Sequence, residues 1–174
     1  YVKRNPVQGR ANITLDLSGG GKTFPAILTH MTGKTTFALV ESGKIGLDIR
    51  TLAYAAKSAQ FVGWAAAGKG NTIVEQLEAR LALANSALTV ESFRAKSGSV
   101  LYTSAGKVDI AEQLVDVVLT LGKLPSEPLS KTVETLAIRG SWSDPAISYA
   151  QREAVPETTA SPGLAPTPIS HLRN

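Results

Sequence analysis

The chain has no cysteine, few aromatic residues and only two histidines. Each of these shortages argues against a class of function. Without cysteine there are no disulfides, no thiolate metal ligands and no cysteine nucleophile. His30 and His171 are too few for the usual transition-metal ligand sets. The net charge is +4, and the positive residues are scattered, without the basic stripe and interleaved aromatics of a nucleic-acid binder. We therefore expect no metal, no cofactor and no nucleic-acid partner.

Long apolar runs are also absent. The longest apolar stretch, residues 49–68, is rich in alanine and contains Arg50, Lys57 and Gln60, so it is too polar to span a bilayer. No signal peptide is present, and the first residue is Tyr1 and not methionine. We therefore expect a fragment or a processed form whose membrane anchor, if there is one, lies upstream.

What is present is a repeated alternation of apolar and polar residues, which predicts half-buried β-strands. Turn signals between these runs, such as Asn85-Ser86 and Ser97-Gly98, recur about every 8–12 residues and favour an antiparallel meander. Gly106 indicates a bulge that interrupts one strand, and residues 122–128 are predicted to form a loop. The predicted strands cover residues 11–18, 34–41, 77–84, 88–93, 99–104, 106–110, 113–121, 132–140 and 147–149.

Two segments have helical signatures. Residues 24–31, with Pro25 early, predict a short helix, and residues 49–66, with Asp48 as N-cap, predict a longer one. Helical spacing marks a buried face on the longer helix, formed by Leu52, Ala55, Ala59 and Val62. The fold class is therefore mainly β with one or two helices (α+β). We expect a curved antiparallel meander sheet that packs with the short and the longer helix and can form an open apolar groove.

The composition changes after residue 149. Residues 1–149 are predicted to form one β-rich domain. Residues 150–174 are predicted to form a flexible tail, because they are rich in threonine and alanine and contain Pro156, Pro162, Pro166 and Pro168.

Two glycine-rich segments imitate a phosphate-binding loop. Gly19-Gly20-Gly21-Lys22-Thr23 has Asp16 where the motif requires glycine, and the segment 63–69 is followed by Gly70 where serine or threonine is required. No G-x-S-x-G segment marks a nucleophile. The sequence therefore predicts a protein that is not an enzyme, and nucleotide binding through Lys22 or Lys69 is the enzymatic alternative.

Short motifs follow one another in a defined order over residues 7–149. They are the segments 13–19, 21–23, 32–34, 37–39, 43–49, 77–83, 88–90, 104–111 and 140–145, the last reading Gly-Ser-Trp-Ser-Asp-Pro. Their order and spacing resemble the C-terminal region of the AsmA family of Gram-negative envelope proteins. The turn Asn85-Ser86 departs from the usual Asn-Gly of that family.

The resemblance implies a compartment and a role. AsmA proteins are held in the inner membrane by an N-terminal helix and extend a β-rich body into the periplasm. They are similar to bridge-like lipid transfer proteins, in which an apolar groove carries phospholipid, here toward the outer membrane. The implied function is non-enzymatic phospholipid transport in outer-membrane biogenesis, with phospholipid or another acyl-chain lipid and other envelope proteins as partners. The alternative is a protein–protein interaction module that affects outer-membrane protein assembly through an exposed sheet edge.

Apolar residues at alternating strand positions are the candidates for contact with lipid. Two interpretations stay open for them, a groove lining or an ordinary core against the helices, and core packing is favoured for most positions. The candidates are Ile13, Leu15, Leu17, Phe37, Leu39, Leu77, Leu81, Leu83, Val115, Val117 and Leu119.

Overall fold

A computed structural model describes residues 7–67, 70–123 and 132–153. This part of the chain is mainly β with two α-helices, as predicted. In chain order the elements are β1 (Val7–Gln8), β2 (Ala11–Ser18), α1 (Phe24–His30), β3 (Thr32–Leu39), β4 (Gly43–Ile45), α2 (Ile49–Ser58), a 3₁₀ helix (Trp64–Ala67), β5 (Thr72–Val74), β6 (Gln76–Ala84), β7 (Ala87–Ser97), β8 (Val100–Asp109), β9 (Leu114–Lys123), β10 (Thr132–Ser141) and β11 (Ala146–Glu153).

The strands form an eight-stranded antiparallel sheet in the order β11-β10-β9-β8-β7-β6-β3-β2 and a small sheet in the order β1-β4-β5. From β6 to β11 each strand pairs with the next one in sequence, which confirms the predicted meander. Between β3 and β6 the chain leaves the large sheet to form β4, α2, the 3₁₀ helix and β5. Strands β2 and β11 are the two edges and do not pair with each other, so the sheet is open.

The hairpin turn between β6 and β7 lies at Asn85-Ser86, as predicted. The backbone of both residues is in the left-handed region, with φ of 50° and 63°. This is the geometry of a type I′ turn, whose twist matches that of the two strands it joins. The last residue pair of β7 and β8 is Ser97 with Val100. The turn between these strands therefore begins at Gly98, whose φ is 58°. This turn therefore lies one residue later than predicted.

The predicted interruption at Gly106 is wrong, because β8 is continuous through it. The irregularity lies on the neighbouring strand, where β7 has one more residue than β8 between the pairs Val90–Gly106 and Arg94–Thr103. Gly106 has another role. Its φ is 131°, and a Cβ at this position would collide with the Asp116 carbonyl oxygen of β9.

The longer helix is shorter than predicted and ends at Ser58. Ala59 is extended and exposed, and Val62 pairs with Ile147 of β11 in an isolated bridge. The Val62 amide donates to the Ile147 carbonyl at 2.9 Å, and the Ile147 amide donates back at 2.7 Å. Assigning Ala59 and Val62 to the buried helix face was therefore wrong, since these two hydrogen bonds satisfy the Val62 backbone in an extended conformation.

Several strand bounds also differ from the prediction, since β3 covers residues 32–39 and not 34–41, and β7 extends to Ser97 and not only to residue 93. Two further strand ends cross a predicted boundary. Strand β9 continues through Gly122 and Lys123, which were predicted as loop, and β11 runs through Glu153, beyond the predicted boundary at residue 149. In both cases pairing with a neighbouring strand extends the element past the last strongly apolar residue. The rest of the predicted loop and the predicted tail from residue 154 lie outside the described residues.

The core lies between one face of the large sheet and the elements inserted after β3. Helix α2 buries Ile49, Leu52, Ala53 and Ala56, which follow the i, i+3, i+4, i+7 spacing of an amphipathic helix. These residues cluster with Ala67 of the 3₁₀ helix and Val74 of β5, and with buried residues of the large sheet, namely Leu77, Ala79, Ala95, Tyr102, Leu136, Ile138 and Ile147.

Asp48 caps α2, and its removal tests how much the cap contributes. Its Oδ1 accepts the Thr51 amide at 2.9 Å, and this hydrogen bond is the main cause that lowers the pKa of Asp48 below its ordinary value. We expect Asp48→Ala to lower the free energy of unfolding by about 1 kcal/mol at pH 7. Because the folded pKa is lowered, the contribution is fully present above the unfolded pKa and is lost as the pH falls through the folded pKa.

The measurement is urea denaturation at pH 7 and below pH 4. The difference between the native chain and Asp48→Ala should shrink in the acidic series. Asp48→Asn is the matched control, because an amide oxygen still caps the helix but does not titrate. A difference that stays constant across the pH range would contradict the assigned role of the carboxylate.

Candidate functional site

The register of the large sheet brings every candidate residue to one face. Residues that lie directly opposite each other on paired strands point to the same side of the sheet. Ile13 pairs with Phe37, and Phe37 pairs with the core residue Ala79. The remaining candidates are connected in the same way through paired residues, as in the series Leu17–Gly33–Leu83–Leu88–Val108–Val115. We call this face, which also carries α2, the inner face.

Part of the inner face is covered and forms the core. Leu77 is a core residue, and Phe37, Leu39, Val115 and Leu119 are half-buried and pack against the core cluster. For these positions the geometry agrees with ordinary core packing. Leu83 is also buried, while Leu81 and Val117 are half-buried, and these three lie outside the core cluster.

The other end of the inner face is exposed. Ile13, Leu15 and Leu17 on the edge strand β2 have 57%, 63% and 43% of their surface accessible. We call these three residues the β2 strip. Their cross-strand partners on β3 are Phe37, Thr35 and Gly33, so no charged side chain interrupts the row on either strand. The strip is an apolar row that the described part of the chain leaves in contact with solvent.

The opposite face of β2 is polar throughout. Asn12, Thr14, Asp16 and Ser18 alternate with the β2 strip and are all exposed. The alternation in residues 11–18 is the usual mark of a half-buried strand, but here both faces of the strand are exposed. One side of β2 also has no strand partner, which makes it a site where another molecule can add.

The structure describes two of the four residues that the sequence offers for chemistry, His30 and Lys22. No group of three or more metal-binding side chains occurs among the described residues. His30 is exposed at the end of α1, with Nδ1 2.7 Å from the Ala26 carbonyl oxygen, and Lys22 is exposed next to the N-cap of α1. Lys69 and His171 lie outside the described residues. None of the helices described is both long and apolar enough to cross a membrane.

The motif around Trp142 has a structural role through its backbone. The Trp142 carbonyl accepts the indole N–H of Trp64 at 2.9 Å, and the Trp142 amide donates to the Gln113 carbonyl at 3.0 Å. The segment between β10 and β11 is thereby connected to the 3₁₀ helix and to the start of β9. The Trp142 ring itself is 42% exposed.

Sequence reasoning missed a cleft on the covered side of the molecule. It has a volume of about 420 Å³ and lies between α2 and one end of strands β8–β11. Arg50, Tyr54 and Lys57 contribute to it from α2, and Tyr149 contributes from β11. The i, i+4, i+7 spacing of the three helix residues is visible in the sequence, but the sheet residues that face them are distant in the chain.

A scan of protein-family models, a search of curated proteins and a search of solved structures each found no significant match. Function is therefore inferred from the residues and geometry of this chain, together with the resemblance stated above.

Proposed function

We propose that this chain is a non-enzymatic domain that contacts the acyl chains of phospholipids through the β2 strip. The observation that carries the proposal is the exposure of Ile13, Leu15 and Leu17 on the same sheet face as the core. The resemblance to the AsmA family supports the same class of ligand.

The dimensions and chemistry of the β2 strip suit a hydrocarbon chain. Alternate residues of a strand are about 6.8 Å apart, so three of them form an apolar row about 14 Å long. The residues paired with them on β3 are uncharged, and a methylene chain needs neither charge nor hydrogen bonds. Removing such a row from water stabilises the complex by about 25 cal/mol for each Å² of apolar surface buried.

The proposed setting follows from the resemblance. In this proposal the domain stands in the periplasm of a Gram-negative bacterium, is anchored in the inner membrane by a segment upstream of residue 1, and serves outer-membrane biogenesis. The curvature of the sheet and its extension into a groove also belong to the proposal, because the described residues form an open sheet with an exposed apolar edge.

The substitution Leu15→Glu tests the proposal. We expect the native domain to retain phospholipid in a defined ratio, measured by native mass spectrometry and by lipid analysis after organic extraction. Leu15→Glu should reduce retention at least about tenfold, since burying a leucine side chain contributes about 1.5–3 kcal/mol. Because Leu15 is exposed, the variant should remain folded, which circular dichroism checks.

Thr14→Glu is the matched control, because it places the same charge on the same strand but on the opposite face. It should retain lipid as the native domain does. A folded Leu15→Glu variant that carries phospholipid normally would contradict the proposal, and so would a native domain that holds no phospholipid.

A second candidate function is docking of an envelope protein at the same edge. The supporting observation is that β2 is eight residues long and has no partner on its outer side, which suits recognition by strand addition. A stable complex with an outer-membrane assembly protein, formed by a domain free of lipid, would favour this function over acyl-chain contact.

A further inference from the structure

The cleft between α2 and strands β8–β11 combines an apolar floor with a cationic rim. Val100, Tyr102 and Leu121 from β8 and β9 form part of its wall, and Ala53 faces it from α2. A volume of about 420 Å³ lies within the range of about 300–1,000 Å³ that small-molecule sites occupy.

The charges around the cleft are unbalanced. Among the described residues, Arg50 and Lys57 line it from α2 and Glu134 is the carboxylate that faces them, so these three side chains have a net charge of +1 (two positive minus one negative). Within residues 7–67, 70–123 and 132–153, no carboxylate forms an ion pair with Arg50 or Lys57. Excess positive charge in a cleft with low-dielectric walls attracts anions.

The two tyrosines of the cleft carry no negative charge at pH 7 and so do not reduce its positive charge. Burial raises the pKa of Tyr102, against the opposing effect of the nearby Arg50 guanidinium. Burial also raises the pKa of Tyr149, whose hydroxyl donates to Glu134 Oε1 at 3.0 Å. Both phenols are therefore neutral at pH 7. The Lys57 Nζ lies 5.4 Å from the centre of the Tyr149 ring. This cation–π contact holds the ammonium group beside the cleft.

We propose that this cleft binds the phosphate group of an alkyl phosphate, with the anion at Arg50 and Lys57 and the adjoining methylenes against Val100 and Leu121. A guanidinium fork binds phosphate oxygens in a bidentate manner and a lysine adds a point charge. The apolar wall gives an alkyl phosphate an advantage over inorganic phosphate, because only the former buries methylenes there.

The cleft and the β2 strip are separate sites. In the order of the sheet, β8 is four strands away from β2, a distance of about 19 Å at the usual strand spacing. Binding in the cleft therefore does not depend on the proposed acyl-chain contact, and either can fail without the other.

The test uses hexyl phosphate, titrated into the full chain by isothermal titration calorimetry at moderate ionic strength. Its chain is too short to cover the β2 strip, so the two sites are tested separately. We expect saturable binding of hexyl phosphate and at least about tenfold weaker binding of inorganic phosphate, since each buried methylene contributes about 0.8 kcal/mol. The double variant Arg50→Gln/Lys57→Gln should bind hexyl phosphate at least about tenfold more weakly.

The control is Arg80→Gln/Lys44→Gln, which makes the same change in net charge at exposed positions that do not line the cleft. It should change the affinity less than about twofold at moderate ionic strength, where distant surface charges are screened. Equal weakening by the two double variants would overturn the proposal in favour of non-specific attraction. Inorganic phosphate binding as tightly as hexyl phosphate would overturn the role of the apolar wall, and no saturable binding would overturn the site.

Discussion

Replacing Leu136 by alanine is expected to lower the free energy of unfolding by about 2–5 kcal/mol. Leu136 lies in β10, has no accessible surface and pairs with Leu119 and Tyr149 on the neighbouring strands. It belongs to the core cluster that α2 covers, so truncation leaves a cavity between two packed layers. Urea denaturation followed by circular dichroism measures the loss.

Leu114→Ala is the matched control for this prediction. Leu114 lies in the adjacent strand β9 and is 48% exposed, so its truncation should change the stability by no more than about 0.5 kcal/mol. Equal losses for the two variants would mean that α2 does not cover the sheet at β10 as described.

Gly106→Ala is expected to destabilise the domain by about 2–6 kcal/mol. A left-handed φ for a residue with a side chain costs about 1–3 kcal/mol, and forcing two packed elements apart costs about 1–3 kcal/mol more. At Gly106 both apply, since φ is 131° and an added Cβ would collide with the Asp116 carbonyl oxygen and lie 2.7 Å from the Val117 Cα. The strands β8 and β9 would have to separate in the middle of the sheet.

Gly122→Ala provides the comparison within the same pair of strands. The nearest heavy atom to a Cβ at Gly122 is the Leu101 carbonyl oxygen at 3.8 Å, so the change in stability should stay within about 0.5 kcal/mol. Thermal unfolding of both variants gives the comparison. A Gly106→Ala protein as stable as Gly122→Ala would show that β8 and β9 do not approach each other at this position.

Local patterns predicted the strands well. The alternation at residues 11–18 defines β2 to the residue, and Asn85-Ser86 forms the turn between β6 and β7. Helix-start signals likewise located the starts of both helices, with Pro25 in the first turn of α1 and Asp48 as the N-cap of α2. These features depend on interactions within a few residues, which the sequence displays directly.

Long-range pairing decided what the local patterns could not. Helical spacing predicted α2 through residue 66, but backbone hydrogen bonds between Val62 and Ile147 take the chain out of the helix after Ser58. The bulge was assigned to Gly106 because of its residue type, yet the extra residue lies on β7 and Gly106 allows close approach to β9. In each case the deciding partner is far away in the sequence.

The same division applies to the two sites. The sequence alone determined that Ile13, Leu15 and Leu17 share one face of a strand, because side chains alternate along an extended backbone. Only the tertiary structure decided that this face is exposed at β2 and buried at Leu136, since α2 covers one end of the sheet and not the other. The cleft depends wholly on tertiary structure. Arg50 and Lys57 face Tyr149 only because the chain after β3 folds back across β8–β11.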